Sequence, residues 1–482
     1  MTISSATGAS VITDDIAADR PPTLAPVTRL WPWPRGSRFG AWLGPRRVAA
    51  WYAGFALYAG AVAVFSGPGH DRAWGIWASF GYAAATAVAA AWPGRSGRRA
   101  ALATALAGAL AGPLAWLALS APATPDTAVV ARSGALLLHH ATPYLPLAAL
   151  AHGGWLAYNP YLPVMALFGL PRAAGLPGLA GDPRPWLAAA TFALLAAAFA
   201  AARPRTTPAP AAGAGAGAGA GPAGPGRGGR GAALGLAAFA TASPVLAFPL
   251  ALGITDPPVI ALTCLALALL TRPAPAARPG LAGPGRGPAR PALWPAALAL
   301  GVACAMKYTA WPALAVLAAL TAARYGPRAA ARLTAATLAT AAVLAAALAP
   351  RAFASPAALA ANTIAFPLGL TKARSPAQSP LPGHLLATLG PAGHLAALAL
   401  LAAAGLALAA SLALRPPRDA PAAALRLALA LALMFALSPA TRFGYFAYPA
   451  ALCGWIVLCR IGADSGGNPE LTGRSDALAV IL

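Results

Sequence analysis

The side chains best suited to chemistry are concentrated between Ser120 and Pro163 of an otherwise apolar chain. This stretch carries one carboxylate and one arginine, together with three histidines and three tyrosines: Asp126, Arg132, His139, His140, His152, Tyr144, Tyr158 and Tyr161. Carboxylates and imidazoles can accept a proton, and a guanidinium can hold an anion. The sequence therefore predicts that a functional site is built around this stretch.

Asp126 lies near the start of the segment PDTAVVARSGALLLHH, whose pattern is typical of a helix. The spacing predicts a short helix in the membrane interface with Asp126 and His140 on related faces, and with Arg132 and His139 turned aside. From spacing alone, Asp126 is either the N-cap of this helix or a functional carboxylate.

Other carboxylates outside the chain ends are few: Asp71, Asp182, Asp256 and Asp419. We expect Asp182 and Asp419 to be solvated residues in cytoplasmic turns, and Asp71 to form a local turn or ion pair. Asp256 precedes two prolines, which suits a helix N-cap, but it could equally belong to an outward-facing pocket for an acceptor or a lipid phosphate.

The candidate cations fall in two places. Lys307 lies at the predicted tip of a membrane hairpin, where a charge is functional by default or reaches the interface by snorkelling. Lys372, Arg374 and His384 form a cationic cluster that suits an anionic ligand or, alternatively, contacts lipid headgroups as a solvated loop.

Composition predicts a polytopic all-α membrane protein. Of 482 residues, 59% are hydrophobic and 9% charged, against roughly 25% charged residues in soluble domains. The net charge of +23 comes almost wholly from arginine at segment ends and in Gly/Pro-rich linkers, as the positive-inside rule produces. We therefore reject nucleic acid as a partner. The four cysteines lie in apolar segments without metal or disulfide spacing, and we expect them to be buried.

Apolar runs separated by polar turns predict twelve spans within residues 48–461, with both termini cytoplasmic. Residues 1–47 and 462–482 are predicted cytoplasmic tails, the first one disordered, and 203–230 and 273–291 flexible cytoplasmic linkers. Residues 121–163 and 351–393 are predicted extracytoplasmic loops, and 158–170 a re-entrant segment because it is short and broken by prolines. This topology places all six histidines, both lysines and Asp71, Asp126 and Asp256 on the outer side of the cell membrane or at its boundary.

Two motifs give the chain a resemblance to a known family. The first combines Asp126 with RSGALLLHHATPY, ending at Tyr144, and with YNPYLP, which includes Asn159 and Tyr161; the second is GVACAMKYTAWP, which contains Lys307. Over roughly residues 100–460, the chain resembles GT-C type membrane glycosyltransferases. More narrowly, it is similar to glycosyltransferase family 87, the polyprenyl-phosphate-mannose-dependent alpha-mannosyltransferases of actinobacteria.

The resemblance implies an inverting transfer of a sugar, with mannose expected, from a polyprenyl-phosphate donor to a cell-envelope glycolipid or glycan hydroxyl. Asp126 would be the general base, and Lys307, Lys372, Arg374 or Arg442 would stabilise the leaving phosphate. It implies the lipid-linked sugar as substrate without a separate cofactor, and no metal-binding cluster is evident in the sequence. The alternatives are a transporter or lipid flippase, which typically has internal repeats and mid-membrane charges, and a non-catalytic membrane scaffold.

Overall fold

A computed structural model describes residues 45–203, 227–272 and 293–464. The predicted tails at 1–47 and 462–482 and the predicted linkers at 203–230 and 273–291 fall wholly or largely outside these described residues. Within them the regular structure is helical, and the one β-type pairing is an isolated bridge between Gln378 and Thr441.

The helices up to residue 202 are α1 Pro45–Phe65, α2 His70–Ala91, α3 Arg95–Leu106, α4 Gly112–Ser120, α5 Pro125–His140, α6 Leu147–His152, α7 Leu170–Ala173, α8 Gly178–Gly181 and α9 Pro183–Ala202. Those up to residue 325 are α10 Arg227–Ala242, α11 Pro244–Leu252, α12 Asp256–Thr271, α13 Leu293–Met306 and α14 Trp311–Tyr325. The last are α15 Pro327–Leu348, α16 Pro356–Ala360, α17 Pro382–Ala387, α18 Pro391–Leu414, α19 Ala420–Leu437 and α20 Ala447–Asp464.

Six helices of the described residues are long and apolar enough to cross a membrane, and a seventh span arises if α10 and α11, bent by 69°, count as one. The prediction of an all-α protein with membrane-spanning helices is therefore confirmed. Each of the twelve predicted spans coincides with a helix or a helix pair. Several of these, such as α12 and α13, are too short to qualify by length, so length and composition identify six or seven spans rather than twelve.

The distribution of buried side chains supports a membrane environment. Helix α18 has 24 residues with a mean hydropathy of 2.3 in its most apolar window, yet only Ala397 and Leu412 are buried in the protein. A long apolar surface of this kind is stable when lipid covers it. In contrast, thirteen of the sixteen residues of α12 are buried, so α12 lies in the interior, packed against α9 and α13.

Residues 158–170 do not form a spanning helix. The chain forms no regular helix from Tyr158 to Leu162, where the first and last residues are extended, and then forms a 3-10 helix at Pro163–Gly169. This 3-10 helix packs on α5 at very short range, since a Cβ atom added to Gly134 would lie 2.3 Å from the carbonyl carbon of Gly169. The Leu162 amide, just before this 3-10 helix, donates to the Met306 carbonyl at 2.9 Å, so the segment that carries Tyr161 lies beside the end of α13.

Candidate functional site

One cleft brings together residues from five distant parts of the chain. The start of α5, the segment 155–161, the break after α13 and the loops 366–377 and 440–445 all line it. The cleft holds about 640 Å³ of space, part of it open to solvent. Its charged and phenolic lining consists of Asp126, Tyr158, Tyr161, Lys307, Tyr308, Arg442 and Tyr445.

Asp126 lies in the first turn of α5, and hydrogen bonds of the Thr124 side chain hold this turn in place. The N-cap is Thr124, whose Oγ1 accepts a hydrogen bond from the Thr127 amide at 3.3 Å and donates one to the Leu252 carbonyl at 2.9 Å. The interpretation of Asp126 as the N-cap is therefore wrong. Because Thr124 satisfies the helix end, the Asp126 carboxylate is left to face the cleft, where the positive end of the helix dipole favours its charge.

Two side chains hold the Asp126 carboxylate. The Tyr161 hydroxyl donates a hydrogen bond to Oδ1, and Nη1 of Arg442 lies 3.6 Å from Oδ2. The second distance is too long for a hydrogen bond, so Oδ2 is engaged by charge alone. Burial raises the pKa of Tyr161 well above its usual value, and the negative charge of Asp126 raises it further. The phenol therefore remains a donor at neutral pH.

Arg442 is held in place by a contact between two loops. The amide of Thr441 donates to the Ala377 carbonyl at 2.9 Å, and the Ser379 amide donates to the Thr441 carbonyl at 3.0 Å. Burial lowers the pKa of Arg442, but the charge of Asp126 and other neighbours outweighs it, and the net shift is upward. Arg442 is thus a permanent cation at the cleft, with 35% of its side chain exposed.

A second carboxylate–cation pair lies deeper in the protein. Lys307 interrupts the chain between α13 and α14 in an extended conformation (φ −157°, ψ 139°), and its ammonium group donates to Oδ1 of Asp256. The side chains are 6% and 2% exposed. Asp256 is the first residue of α12 and makes no capping hydrogen bond, so the N-cap interpretation of Asp256 is wrong as well. Since Lys307 is buried and paired, it does not snorkel to the surface.

Tyr161 connects the two pairs. Its hydroxyl reaches Asp126, while Nζ of Lys307 lies 5.4 Å from the centroid of its ring and 5.5 Å from that of Tyr445. A cation at this range is attracted to the aromatic face. The arrangement is therefore one network of two carboxylates, two cations and two tyrosines, suited to accepting a proton and to holding an anion.

Arg132 supports the segment that carries Tyr161. Its guanidinium donates to the carbonyls of Leu156 at 2.5 Å and of Ala157 at 3.1 Å. Burial lowers its pKa. Arg132 does not line the cleft, so the structure places it behind the site.

Asn159 and Tyr144 have the same supporting position. The Asn159 side-chain amide donates to Ser133 Oγ at 3.0 Å and its oxygen accepts from the Tyr161 amide at 3.0 Å. The Asn159 backbone amide donates to Asn362 at 2.7 Å, and the Tyr144 hydroxyl donates to the Tyr161 carbonyl at 2.9 Å. Both residues fix the backbone of Tyr161.

The histidines of α5 lie away from the cleft. The predicted helix is confirmed, but His139 and His140 are exposed at its C-terminal end. Fourteen residues of helix separate His140 from Asp126, which corresponds to about 21 Å. The helix therefore does not bring Asp126 and His140 to one site.

The outer-loop cations also lie outside the cleft lining. Lys372 and Arg374 are exposed, although Ser375 and Ala377 just beyond them line the cleft. His384 is half-buried, and its Nδ1 lies 3.0 Å from the Pro439 carbonyl, so it contacts the loop that carries Arg442.

Of the two remaining turn carboxylates, Asp419 is exposed and caps α19 through the Ala422 amide at 2.7 Å, as expected for a turn residue. The prediction that Asp182 is solvated is wrong, because it is buried, caps α9 and pairs with Arg184 at 3.6 Å.

The sequence reasoning did not single out several residues of the site. Tyr445, Trp155 and Phe366 line the cleft, and Thr255 Oγ1 lies 3.4 Å from Lys307 Nζ. Tyr445 sits three residues beyond Arg442, in an aromatic-rich turn that was the available signal. Within the described part of the chain, no three His, Cys, Asp or Glu side chains lie close enough to share a metal ion.

No family model, no curated protein and no solved structure matches the chain.

Proposed function

We propose that the chain is a membrane glycosyltransferase of the GT-C type that moves a sugar, with mannose expected, from a polyprenyl-phosphate donor to a hydroxyl of a cell-envelope glycolipid or glycan. The observation that carries the proposal is the cleft in which Asp126 lies beside a permanent cation, Arg442. A transfer of this kind needs a base for the acceptor and a positive charge for the departing phosphate.

In this reaction Oδ2 of Asp126 accepts the proton of the acceptor hydroxyl, because Oδ1 already receives the Tyr161 hydrogen bond. The acceptor oxygen forms a bond to the anomeric carbon of the donor sugar, and the bond from that carbon to the phosphate oxygen breaks. The electron pair leaves with the polyprenyl phosphate. Arg442, with 35% of its side chain exposed, can contact that phosphate, while Lys307 contributes its charge from the deeper part of the cleft lining, where it is paired with Asp256.

The proposal includes the finer membrane arrangement. Twelve spans, of which α12 and α13 are short interior ones, would place the cleft on the extracytoplasmic side, with residues 158–170 as a re-entrant segment. The polyprenyl tail would remain in the bilayer while its phosphate enters the cleft. Asp126, Asp256 and Lys307 are each predicted to be outer residues, and their meeting in one network supports this arrangement.

The test is transfer of radiolabelled mannose from polyprenyl-phosphomannose in membranes that contain the wild type, Asp126→Asn or Asp419→Asn. We expect Asp126→Asn to lower the rate by about 10²–10⁴-fold, because it removes the base at constant size. Asp419→Asn is the matched control, since asparagine also caps a helix and Asp419 is exposed. Equal rates for wild type and Asp126→Asn would eliminate Asp126 as the base.

The rival function is a transporter or lipid flippase. The observation that favours it is the 69° bend between α10 and α11, because broken helices form the substrate sites of many transporters. Vesicles separate the two functions. A transporter moves the labelled polyprenyl-phosphomannose across the bilayer and leaves the sugar on it, whereas a transferase moves the label to a new product.

A further inference from the structure

The wall of the cleft formed by Trp155, Tyr158 and Phe366 has no role in the proton transfer or in the binding of phosphate. All three residues line the same cleft as Asp126 and Arg442. Tyr158 and Phe366 are stacked, with ring centroids 4.6 Å apart and planes at 9°. We call these three side chains the aromatic wall.

The aromatic wall is held rigidly by groups that do not face the cleft. The Arg132 guanidinium donates hydrogen bonds to the carbonyls of Leu156 and Ala157, which directly follow Trp155. In the helical turn Ala361–Ala365, directly before Phe366, the side-chain oxygen of Asn362 accepts a hydrogen bond from the Asn159 backbone amide at 2.7 Å, and Asn362 is itself fully buried. A surface that is fixed before the ligand arrives loses little entropy on binding.

The aromatic wall also has polar edges that are free. Among the described residues, neither the indole nitrogen of Trp155 nor the hydroxyl of Tyr158 makes a hydrogen bond within the protein, and Trp155 is half-buried. Both atoms are accessible to solvent, so water can bond to them until a ligand takes its place. An apolar ligand such as an isoprenoid chain would leave these groups unsatisfied, which costs free energy.

We propose that the aromatic wall binds a pyranose ring, with the C–H face of the sugar against the half-exposed indole of Trp155 and with sugar hydroxyls bonded to Trp155 and Tyr158. Tyr158 and Phe366 are stacked on each other and 7% exposed, so they support Trp155 and do not offer an open face. The negative face of an aromatic ring attracts the weakly positive C–H groups of a sugar. Because the aromatic wall shares its cleft with Asp126, a sugar bound there lies in the compartment of the base. The inference rests on the proposed function and specifies where its carbohydrate binds.

The pyranose could belong to the donor or to the acceptor, and binding measurements on the full-length purified protein distinguish them. The donor arm compares the affinities of farnesyl phosphomannose and farnesyl phosphate. The ratio of the two affinities gives the contribution of the sugar to binding. The acceptor arm measures binding of methyl α-mannopyranoside against glycerol. Trp155→Leu should reduce the sugar-dependent gain in one arm by about tenfold and leave the affinity for farnesyl phosphate unchanged. A tenfold loss corresponds to about 1.4 kcal/mol.

Two further variants complete the experiment. Trp294→Leu is the matched control, because Trp294 is 74% exposed in α13 and does not line the cleft; it should bind as the wild type does. Tyr158→Phe keeps the stacked ring and removes only the hydroxyl, so a smaller loss of sugar affinity is expected without any disturbance of folding.

The outcomes separate this inference from the proposed function. If Trp155→Leu weakens farnesyl phosphate as much as farnesyl phosphomannose, the aromatic wall binds the isoprenoid and the inference is overturned. It is overturned too if neither arm changes, or if the wild type gains nothing from the sugar in either arm. If sugar-dependent binding requires Trp155 but the protein transfers no mannose, the sugar-binding role of the aromatic wall stands and the proposed transferase function is rejected.

Discussion

The two carboxylate–cation pairs should differ strongly in what they contribute to stability, because they differ in burial. In the Asp256–Lys307 pair the side chains are 2% and 6% exposed, and in the Asp126–Arg442 pair 19% and 35%. Removal of one partner of a buried pair leaves an uncompensated charge and costs about 3–5 kcal/mol. The Asp126–Arg442 pair is only partly buried, and a pair that water reaches and screens contributes about 0–1 kcal/mol.

We therefore expect Lys307→Met to lower the free energy of unfolding by about 3–5 kcal/mol, and Arg442→Gln by less than about 1 kcal/mol. The double variant Lys307→Met with Asp256→Asn should recover much of the loss, because no buried charge remains. Reversible unfolding in mixed micelles, followed by circular dichroism as the denaturing detergent is titrated, gives these free energies as a double-mutant cycle.

Two results would refute the reasoning. Equal destabilisation by Lys307→Met and Arg442→Gln would mean that the difference in burial does not determine how much each pair contributes to the free energy of unfolding. Additive losses in the double variant would mean that Lys307 and Asp256 do not compensate each other, so Lys307 would act through its aromatic contacts with Tyr161 and Tyr445. The same variants, assayed for transfer, then distinguish a stability role of Lys307 from a direct one.

The remaining predictions concern the donor to Asp126 and the packing of α5. Burial and the charge of Asp126 raise the pKa of Tyr161, so its hydroxyl stays protonated to above its usual pKa of about 10. The ratio of transfer rates between wild type and Tyr161→Phe should therefore be constant from about pH 6 to 9.5. A ratio that falls above pH 8 would show that Tyr161 titrates. Gly134→Ala should destabilise the protein by about 1–3 kcal/mol, because its Cβ would lie 2.3 Å from the backbone of the adjacent 3-10 helix. Gly60→Ala is the control, with nothing within 4 Å, and should be neutral or stabilising by up to about 1 kcal/mol; similar unfolding curves for the two variants would contradict the close packing of α5.

The sequence by itself determined the class of the protein and the positions of its long helices. Long apolar runs must satisfy their backbone groups internally in lipid, so the twelve predicted segments all coincide with helices. Prolines marked where a long helix cannot form, as at Pro160 and Pro163 in the segment 158–170. These are local properties, which follow from residues close together in the chain.

Tertiary structure decided which of the polar residues meet. Asp126 and Arg442 are 316 positions apart, and their pairing at 3.6 Å depends on helix packing that no local pattern encodes. His140 shares a helix with Asp126 and yet lies at its far end. For Asp256 the sequence left an N-cap and a pocket residue equally open; in the structure it pairs with Lys307, because α12 is buried and an unpaired charge there would be too costly. The position of a helix follows from residues close together in the sequence, whereas a functional site depends on which distant residues the tertiary packing brings together.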